Sequence, residues 1–186
     1  MDKNRTAIEN FLRATAREGI EDLLDWMEEN GFYDAPCSSK YHLAKPGGLA
    51  EHSLNVLDTA ILTATALCKE AGKPLPLDSM DSIYICSLLH DLGKAGQFGK
   101  PNYIKNEDLP FPEFQTNKEL LYIPHEIRSV AIASKFIDLT EEEQFAIIYH
   151  NGLYGELKSF KGHETPLYLI LHHADMWASR VIESEQ

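Results

Sequence analysis

The sequence predicts an all-α protein, and three observations support this. Apolar residues recur at spacings of three and four along most of the 186 residues, which is the period of an amphipathic helix. No segment shows the alternation of apolar and polar residues that is typical of a half-buried strand. No repeat, low-complexity tract or linker divides the chain, and its length and 44% hydrophobic content fit one domain over residues 1–186.

The first three helices are predicted from the apolar stripes and from glycines that end or begin them. The first covers about residues 4–30 and ends at Gly31. The second begins at Gly47-Gly48, has its apolar stripe up to Leu67 and is closed by Gly72-Lys73-Pro74. The third, over about 78–92, is apolar around most of its circumference, which is typical of a helix in the middle of a domain.

Residues 95–123 break this helical pattern because they are rich in glycine and proline, which interrupt both helices and strands. We expect an ordered excursion here rather than a linker, with a short hairpin around residues 119–123. Apart from this hairpin, no segment of the sequence indicates a strand.

Three further helices follow the excursion. Pro124 is placed where proline is tolerated, in the first turn of a helix that runs to about residue 137. Thr140 and Glu143 form a capping-box pattern for a helix that ends near His150. Thr165-Pro166 is an N-cap followed by a first-turn proline, and it begins a last helix that runs to about residue 183.

Charge and cysteine content limit the classes of partner. The chain has 17 Lys and Arg against 29 Asp and Glu, a formal net charge of −12, so its overall field does not favour nucleic acid. A phosphorylated substrate would need local positive charge, for which bound metal is the obvious source. Cys37, Cys68 and Cys86 form no paired framework and are interpreted as small buried residues of a reduced, cytoplasmic protein. No apolar run reaches the ~20 residues of a membrane helix, so no membrane partner is expected.

Histidine and aspartate residues fall at inward or terminal positions of five predicted helices. A single inward histidine is more often a hydrogen-bonded core residue than a metal ligand. The same placement on five helices would be a much rarer coincidence. Burying a carboxylate unpaired is expensive, and coordination to a cation removes that cost. The residues concerned are His52, His90, Asp91, His125, His150 and Asp175.

Three segments carry a resemblance to a known family. Residues 47–53 (GGLAEHS), 88–94 (LLHDLGK) and 171–175 (LHHAD) resemble the motifs of the HD-domain superfamily of metal-dependent phosphohydrolases. The resemblance covers about residues 40–180 and is nearest to the HD modules of bacterial 3′–5′ exoribonucleases and relaxase-like proteins, especially at residues 150–152 (HNG). It implies a compact helical bundle with a metal site at its centre.

The resemblance also implies a set of metal ligands. His52, His90 and Asp175 would hold a first ion, His125 and His150 a second, and Asp91 would bridge the two. Mixed imidazole and carboxylate ligands suit two divalent transition metal ions, Fe, Mn, Co or Zn, better than Ca or Mg.

The implied activity is hydrolysis of a phosphomonoester or phosphodiester bond by metal-activated water, in a small phosphorylated substrate of the nucleotide kind. Asp91 and Lys94 would be the catalytic residues, with Lys94 also the family's usual phosphate contact. Arg128, three residues after His125, is a candidate for a second phosphate contact, although an ordinary surface arginine fits equally well.

Four other residues near the motifs receive weaker assignments. Glu51 and His172 are candidates for orienting ligands, and a solvent-facing position is an equal alternative for each. His42 and His163 are interpreted as loop residues near the mouth of the site.

Two other functions remain open. Some relatives with the same six ligands are di-iron oxygenases, which cleave C–C or C–P bonds with O2, and ligand identity alone does not separate them from hydrolases. A non-catalytic sensor module is the less favoured alternative because the ligand set is intact.

Overall fold

The computed structural model describes residues 3–72, 77–108, 111–155, 159 and 161–184, and this part of the chain is mostly helical. The helices are α1 (Lys3–Ala14), α2 (Ile20–Glu29), α3 (Gly48–Glu70), α4 (Leu77–Leu89), α5 (His125–Ala133), α6 (Glu141–Tyr149) and α7 (Pro166–Trp177). The strands are β1 (Gly96–Gln97), β2 (Lys100–Pro101), β3 (Tyr103–Lys105) and β4 (Phe114–Thr116), paired β1 with β2 and β3 with β4, both antiparallel.

The core lies where α3 packs against α4 and α7, with α6 against α4 and α7 on the other side. Small residues on α3, such as Ala60 and Ala64, are fully buried and let the neighbouring helices approach closely. Leu88 and Leu89, at the end of α4, are also fully buried. Each such leucine contributes about 1.5–3 kcal/mol of hydrophobic free energy, so the end of α4 is held firmly, and His90 and Asp91 follow it directly.

The prediction of one helix over residues 4–30 is wrong, because the chain turns between α1 and α2. Ala16 has φ +50° and Gly19 has φ +84°, and left-handed backbone of this kind ends a helix. The apolar period continues across the turn because Ile8 and Leu23 are both buried in the same core. Periodicity alone therefore could not reveal the break.

We predict that Gly19→Ala lowers the stability of the fold more than Gly31→Ala does. Both glycines have positive φ, so each alanine costs about 1–2 kcal/mol for its left-handed backbone. At Gly19 an added Cβ would also overlap the carbonyl oxygen of Phe136, whereas at Gly31 it meets open space. Urea denaturation midpoints of the two variants test this, and equal midpoints would contradict it.

A hairpin does lie in the 95–123 excursion, but not around residues 119–123, which form no strand. In β1 and β2, Gln97 pairs with Lys100 across Phe98 and Gly99, whose φ values of +57° and +69° are those of a two-residue hairpin turn. The strands are two or three residues long, too short for an alternating pattern to show in the sequence.

The starts of the last two helices are confirmed. The Thr140 hydroxyl accepts from the Glu143 N–H while the Glu143 carboxylate accepts from the Thr140 N–H, which completes the capping box of α6. Thr165 caps α7, with Pro166 as its first residue.

Two helix ends come earlier than predicted, whereas helical backbone at the end of the chain reaches close to the predicted residue 183. α4 stops at Leu89 and is followed by a 3-10 turn, Leu92–Lys94. α5 stops at Ala133. α7 stops at Trp177 and continues as a short π-helix, Ala178–Ile182, which brings Glu183 back towards α3.

Candidate metal centre

The structure brings all six of the predicted ligands together around the turn after α4. His52 comes from α3, and His125 is the first residue of α5. Asp91 and His150 follow the ends of α4 and α6, and Asp175 is on α7. Ligand atoms of His52, His90 and Asp175 lie within 4.8 Å of one another, and so do those of His90, Asp91 and His150.

A glycine shapes the turn that carries Asp91. The Gly93 N–H donates to the Ser129 hydroxyl on α5 at 2.8 Å, and a Cβ at Gly93 would overlap the carbonyl oxygen of His125. Only a residue without a side chain lets α5 approach this closely. Gly93 therefore positions His125 against Asp91.

The two carboxylate oxygens of Asp91 face different neighbours. Oδ2 accepts from Lys94 Nζ at 2.6 Å and lies 3.5 Å from His90 Nε2 and 3.6 Å from His52 Nε2. This oxygen is therefore directed to the group that contains His52, His90 and Asp175, and the side chain is 1% exposed.

The other oxygen, Oδ1, is buried and has no hydrogen-bond donor in the described structure. It lies 3.1 Å from His125 Nε2 and 3.7 Å from His150 Nε2. A buried carboxylate oxygen without a donor is costly. A cation between this oxygen and the two rings would satisfy it.

Backbone carbonyls orient two of the histidines. His90 Nδ1 lies 2.9 Å from the carbonyl oxygen of Ser87, and His150 Nδ1 lies 2.8 Å from that of Ile147. A carbonyl oxygen can only accept, so each Nδ1 carries a proton, and each neutral ring points an Nε2 lone pair into the centre. This is the tautomer that a metal ligand needs.

His52 is oriented by Glu183, a residue that the sequence analysis did not single out. Its Nδ1 lies 3.0 Å from both oxygens of Glu183, and Asn55 donates to Glu183 Oε1 at 2.9 Å. The carboxylate fixes the proton on Nδ1 and leaves Nε2 facing His90 Nε2 at 3.2 Å. Two nitrogen lone pairs this close are favourable only with a proton or a cation between them.

We predict that Glu183→Gln weakens metal binding by about 10–100-fold, the usual cost of losing a partner that orients a ligand. The amide cannot stabilise the charge that develops on the His52 ring when it binds a cation. Calorimetric titration with Mn²⁺ measures the affinity, and Glu70→Gln, at the exposed end of the same α3 helix, is the control. Equal affinities for wild type and Glu183→Gln would contradict this role.

Electrostatics keep the carboxylates of the centre ionised. Burial alone would raise the pKa of Asp91, but the positive charge of Lys94 and the neighbouring histidines lower it well below its usual range. Burial also opposes ionisation of Asp175, yet its contact with His52 at 3.2 Å lowers the pKa. Anionic carboxylates beside imidazoles are the state that binds cations.

The pKa values of two buried histidines of the centre, His150 and His52, shift in opposite directions. Burial lowers the pKa of His150 to about 3, so this ring is neutral and free to coordinate at pH 7. Burial also disfavours the charged form of His52, but the neighbouring Cys37, Asp175 and Glu183 raise its pKa well above its usual value.

Lys94 and Arg128, the predicted phosphate contacts, lie in different surroundings. Lys94 is 14% exposed and lines a cavity above the centre. Arg128 is 3% exposed and donates to Gln97 Oε1 at 3.3 Å and to the Leu121 carbonyl oxygen at 2.8 Å. Those bonds hold the 95–123 excursion on α5, so we do not count Arg128 among the phosphate contacts.

The four residues with weaker assignments lie in different places: one supports a helix end, two line the cavity and one is exposed elsewhere. His172 donates from Nδ1 to the His150 carbonyl oxygen at 2.7 Å and supports the end of α6. Glu51 pairs with Lys45 at 2.8 Å on the rim of the cavity. His163 is exposed, whereas His42 lies in the cavity wall, 3.3 Å from Cys37 Sγ.

An open cavity of about 1440 Å³ leads to the centre, and His150 and Asp175 form part of its wall. Basic and aromatic side chains stand around it in spite of the net charge of −12. They are Lys40, Tyr41, Lys45, Lys94, Phe111, Tyr154 and Arg180.

Comparison with models of protein families, with curated proteins and with solved structures finds no match to this chain. Among the described residues, no helix combines the length and the apolar character needed to cross a bilayer.

Proposed function

We propose that this protein is a metal-dependent phosphohydrolase of the HD-domain kind, which cleaves a phosphomonoester or phosphodiester bond in a nucleotide-like substrate. The observation that carries the proposal is the position of Asp91. Its buried carboxylate lies near His52 and His90 through Oδ2 and near His125 and His150 through Oδ1, and Oδ1 has no hydrogen-bond donor among the described residues.

The side chains of the centre fit a pair of divalent ions. His52, His90 and Asp175 can hold one, and His125 and His150 can hold a second, with Asp91 shared. Two nitrogen donors and a carboxylate on each side favour Fe, Mn, Co or Zn over Ca or Mg. Bound in this way, the metal supplies Lewis acidity for a phosphoryl oxygen and lowers the pKa of water.

The protein's own residues orient the substrate and balance its charge. Asp91 holds Lys94 at 2.6 Å, which keeps the ammonium beside the centre and raises the pKa of Lys94, although burial opposes that shift. The charged Lys94 faces the cavity, where it can bind a phosphate oxygen and stabilise the negative charge that grows during in-line displacement. Neutral His150 stays a ligand rather than a proton donor.

The cavity supports a substrate larger than a single phosphate. Its volume of about 1440 Å³ exceeds the ~300–1000 Å³ of ordinary ligand pockets. Tyr41, Phe111 and Tyr154 are 71%, 74% and 77% exposed, which suits stacking on a base. Lys40, Lys45 and Arg180 add positive charge for further phosphates. A nucleotide or short oligonucleotide fits this combination.

Hydrolysis of phosphate esters under anaerobic conditions tests the proposal. Protein freed of metal and reloaded with Mn²⁺ is offered p-nitrophenyl phosphate, bis-p-nitrophenyl phosphate and a panel of nucleotides. We expect metal-dependent hydrolysis of at least one of them, and a higher KM for Lys94→Ala than for the exposed control Lys118→Ala. Absence of hydrolysis with every metal, or turnover that requires O2, would contradict it.

A further inference from the structure

A second cluster of metal-binding side chains lies beside the centre, on the other side of His52. Cys37 Sγ is 3.3 Å from His42 Nε2, and His42 Nε2 is 4.0 Å from Glu183 Oε2. Ligand atoms of Cys37, His42 and His52 all lie within 4.8 Å of one another. None of the six ligands of the centre offers sulfur.

The loop that carries Cys37 and His42 is closed on itself. The Cys37 N–H donates to the Leu43 carbonyl oxygen at 3.1 Å, and the Ser38 hydroxyl donates to the His42 carbonyl oxygen at 2.9 Å. Leu43 has φ +47°, and Gly48 leaves room for its carbonyl against the start of α3. The thiol and the imidazole are therefore placed side by side by the backbone.

We propose that Cys37, His42 and Glu183 form a further cation site, selective for Zn²⁺ or another thiophilic divalent ion. Ligands of tetrahedral zinc, at ~2.3 Å for sulfur and ~2.0–2.2 Å for nitrogen and oxygen, are about 3.5 Å apart. Cys37 Sγ and His42 Nε2 are 3.3 Å apart, and His42 Nε2 and Glu183 Oε2 are 4.0 Å apart, so these two separations bracket that value. On binding, the Cys37 thiol loses its proton to solvent and coordinates as thiolate.

We assign Glu183 rather than His52 as the third ligand, because both ring nitrogens of His52 already have partners. Its Nδ1 proton goes to Glu183, and its Nε2 belongs to the first group of the centre. His52 Nδ1 lies 3.0 Å from both oxygens of Glu183, and Asn55 donates to Oε1. Oε1 can therefore hold the His52 proton while Oε2, 4.0 Å from His42 Nε2, binds a cation.

The site would keep one open position. Three protein ligands leave the fourth place of a tetrahedral ion for water or substrate. His42 and Glu183 both line the large cavity, and Lys94 Nζ is 3.9 Å from Cys37 Sγ. An ion here would stand next to the centre, within the same cavity, and would present its open position to the phosphorylated substrate.

Co²⁺ titration of the metal-free protein tests the site, since thiolate coordination to Co²⁺ produces a charge-transfer absorption that nitrogen and oxygen ligands do not. We expect this absorption in wild type and in Cys68→Ser, and its loss in Cys37→Ser. Total Co²⁺ bound should fall by one equivalent in Cys37→Ser. In His42→Ala, the apparent affinity for Co²⁺ obtained from this absorption should fall at least about tenfold, whereas in His163→Ala it should not change.

Wild-type protein without the absorption, or equal Co²⁺ stoichiometry in wild type and Cys37→Ser, would overturn the proposal. His42→Ala keeps the test valid if Cys37→Ser does not fold, because an absorption unchanged in His42→Ala also contradicts the site. The test detects sulfur ligation and not turnover, so its result is independent of whether the phosphohydrolase proposal holds.

Discussion

Asp91→Asn is expected to abolish phosphate release and to remove metal from the centre, with activity falling by more than about 100-fold, the upper cost of losing only an orienting partner. The asparagine keeps the shape of the side chain but loses the charge and one of the two acceptor oxygens. Oδ1 and Oδ2 contact separate histidine groups, so both halves of the centre lose their shared ligand. Elemental analysis and single-substrate turnover measure the two effects.

The far-UV circular dichroism of Asp91→Asn should remain that of wild type, because Leu88 and Leu89 hold the end of α4 in the core. Asp58→Asn, on the exposed face of α3, is the matched control and should keep metal and activity. An Asp91→Asn protein that retains both would show that the carboxylate bridges nothing.

Glu143→Gln should have the largest effect on stability. Glu143 is fully buried, and its carboxylate accepts from the Arg17 guanidinium, from the Ser82 hydroxyl at 2.7 Å and from the Thr140 N–H at 2.8 Å. The amide of glutamine leaves Arg17 without a countercharge and turns an N–H₂ group towards these donors. Breaking a buried pair in this way costs about 3–5 kcal/mol. Arg17 is itself 19% exposed, so we expect the lower end of that range.

Glu142→Gln is the control for this substitution. Glu142 is in the same first turn of α6 but is exposed, and exposed charges contribute about 0–1 kcal/mol. Chemical denaturation at pH 7 compares the two variants with wild type. A similar loss of unfolding free energy in both variants, or no loss in Glu143→Gln, would contradict a structural role for the buried pair.

The contribution of Glu143 to the free energy of unfolding should also depend on pH. Burial would raise the pKa of Glu143, but hydrogen bonds from Arg17, Ser82 and Thr140 outweigh it and lower the pKa. A folded pKa below the unfolded value of about 4.3 stabilises the protein above that pH, and the stabilisation is lost as the pH falls through the folded pKa. The difference between wild type and Glu143→Gln should therefore shrink on acidification, and a constant difference would contradict the pairing.

Local signals in the sequence were enough for the starts of α6 and α7, and the six residues that the family resemblance implied as ligands lie together in the structure. Thr140 with Glu143, and Thr165 with Pro166, each form a cap within four residues, so the pattern and its physical cause are both local. The six predicted ligands converge because each falls at the end or on the inner face of a helix. The mostly helical architecture follows from the same periodicity.

The missed features depend on contacts between residues far apart in the chain. Glu183 contacts His52 across 131 positions, after a π-helical turn that no pattern in the sequence predicted. Cys37 and His42 face the centre only because their loop closes on Leu43. The break at Ala16 was hidden because α1 and α2 present apolar faces to one core, and Arg128 looked available because its partner Leu121 lies in an irregular segment.

Anomalous diffraction from crystals soaked in Mn²⁺ tests most directly whether Asp91 is shared between two cations. Mn²⁺ prefers oxygen and nitrogen ligands to thiolate, so it reports on the centre rather than on the Cys37 cluster. We expect two anomalous peaks, one near each carboxylate oxygen of Asp91, separated by about 3.5–4 Å. The absence of any peak within coordination distance of Asp91, or a single peak that touches neither of its oxygens, would contradict a dinuclear centre.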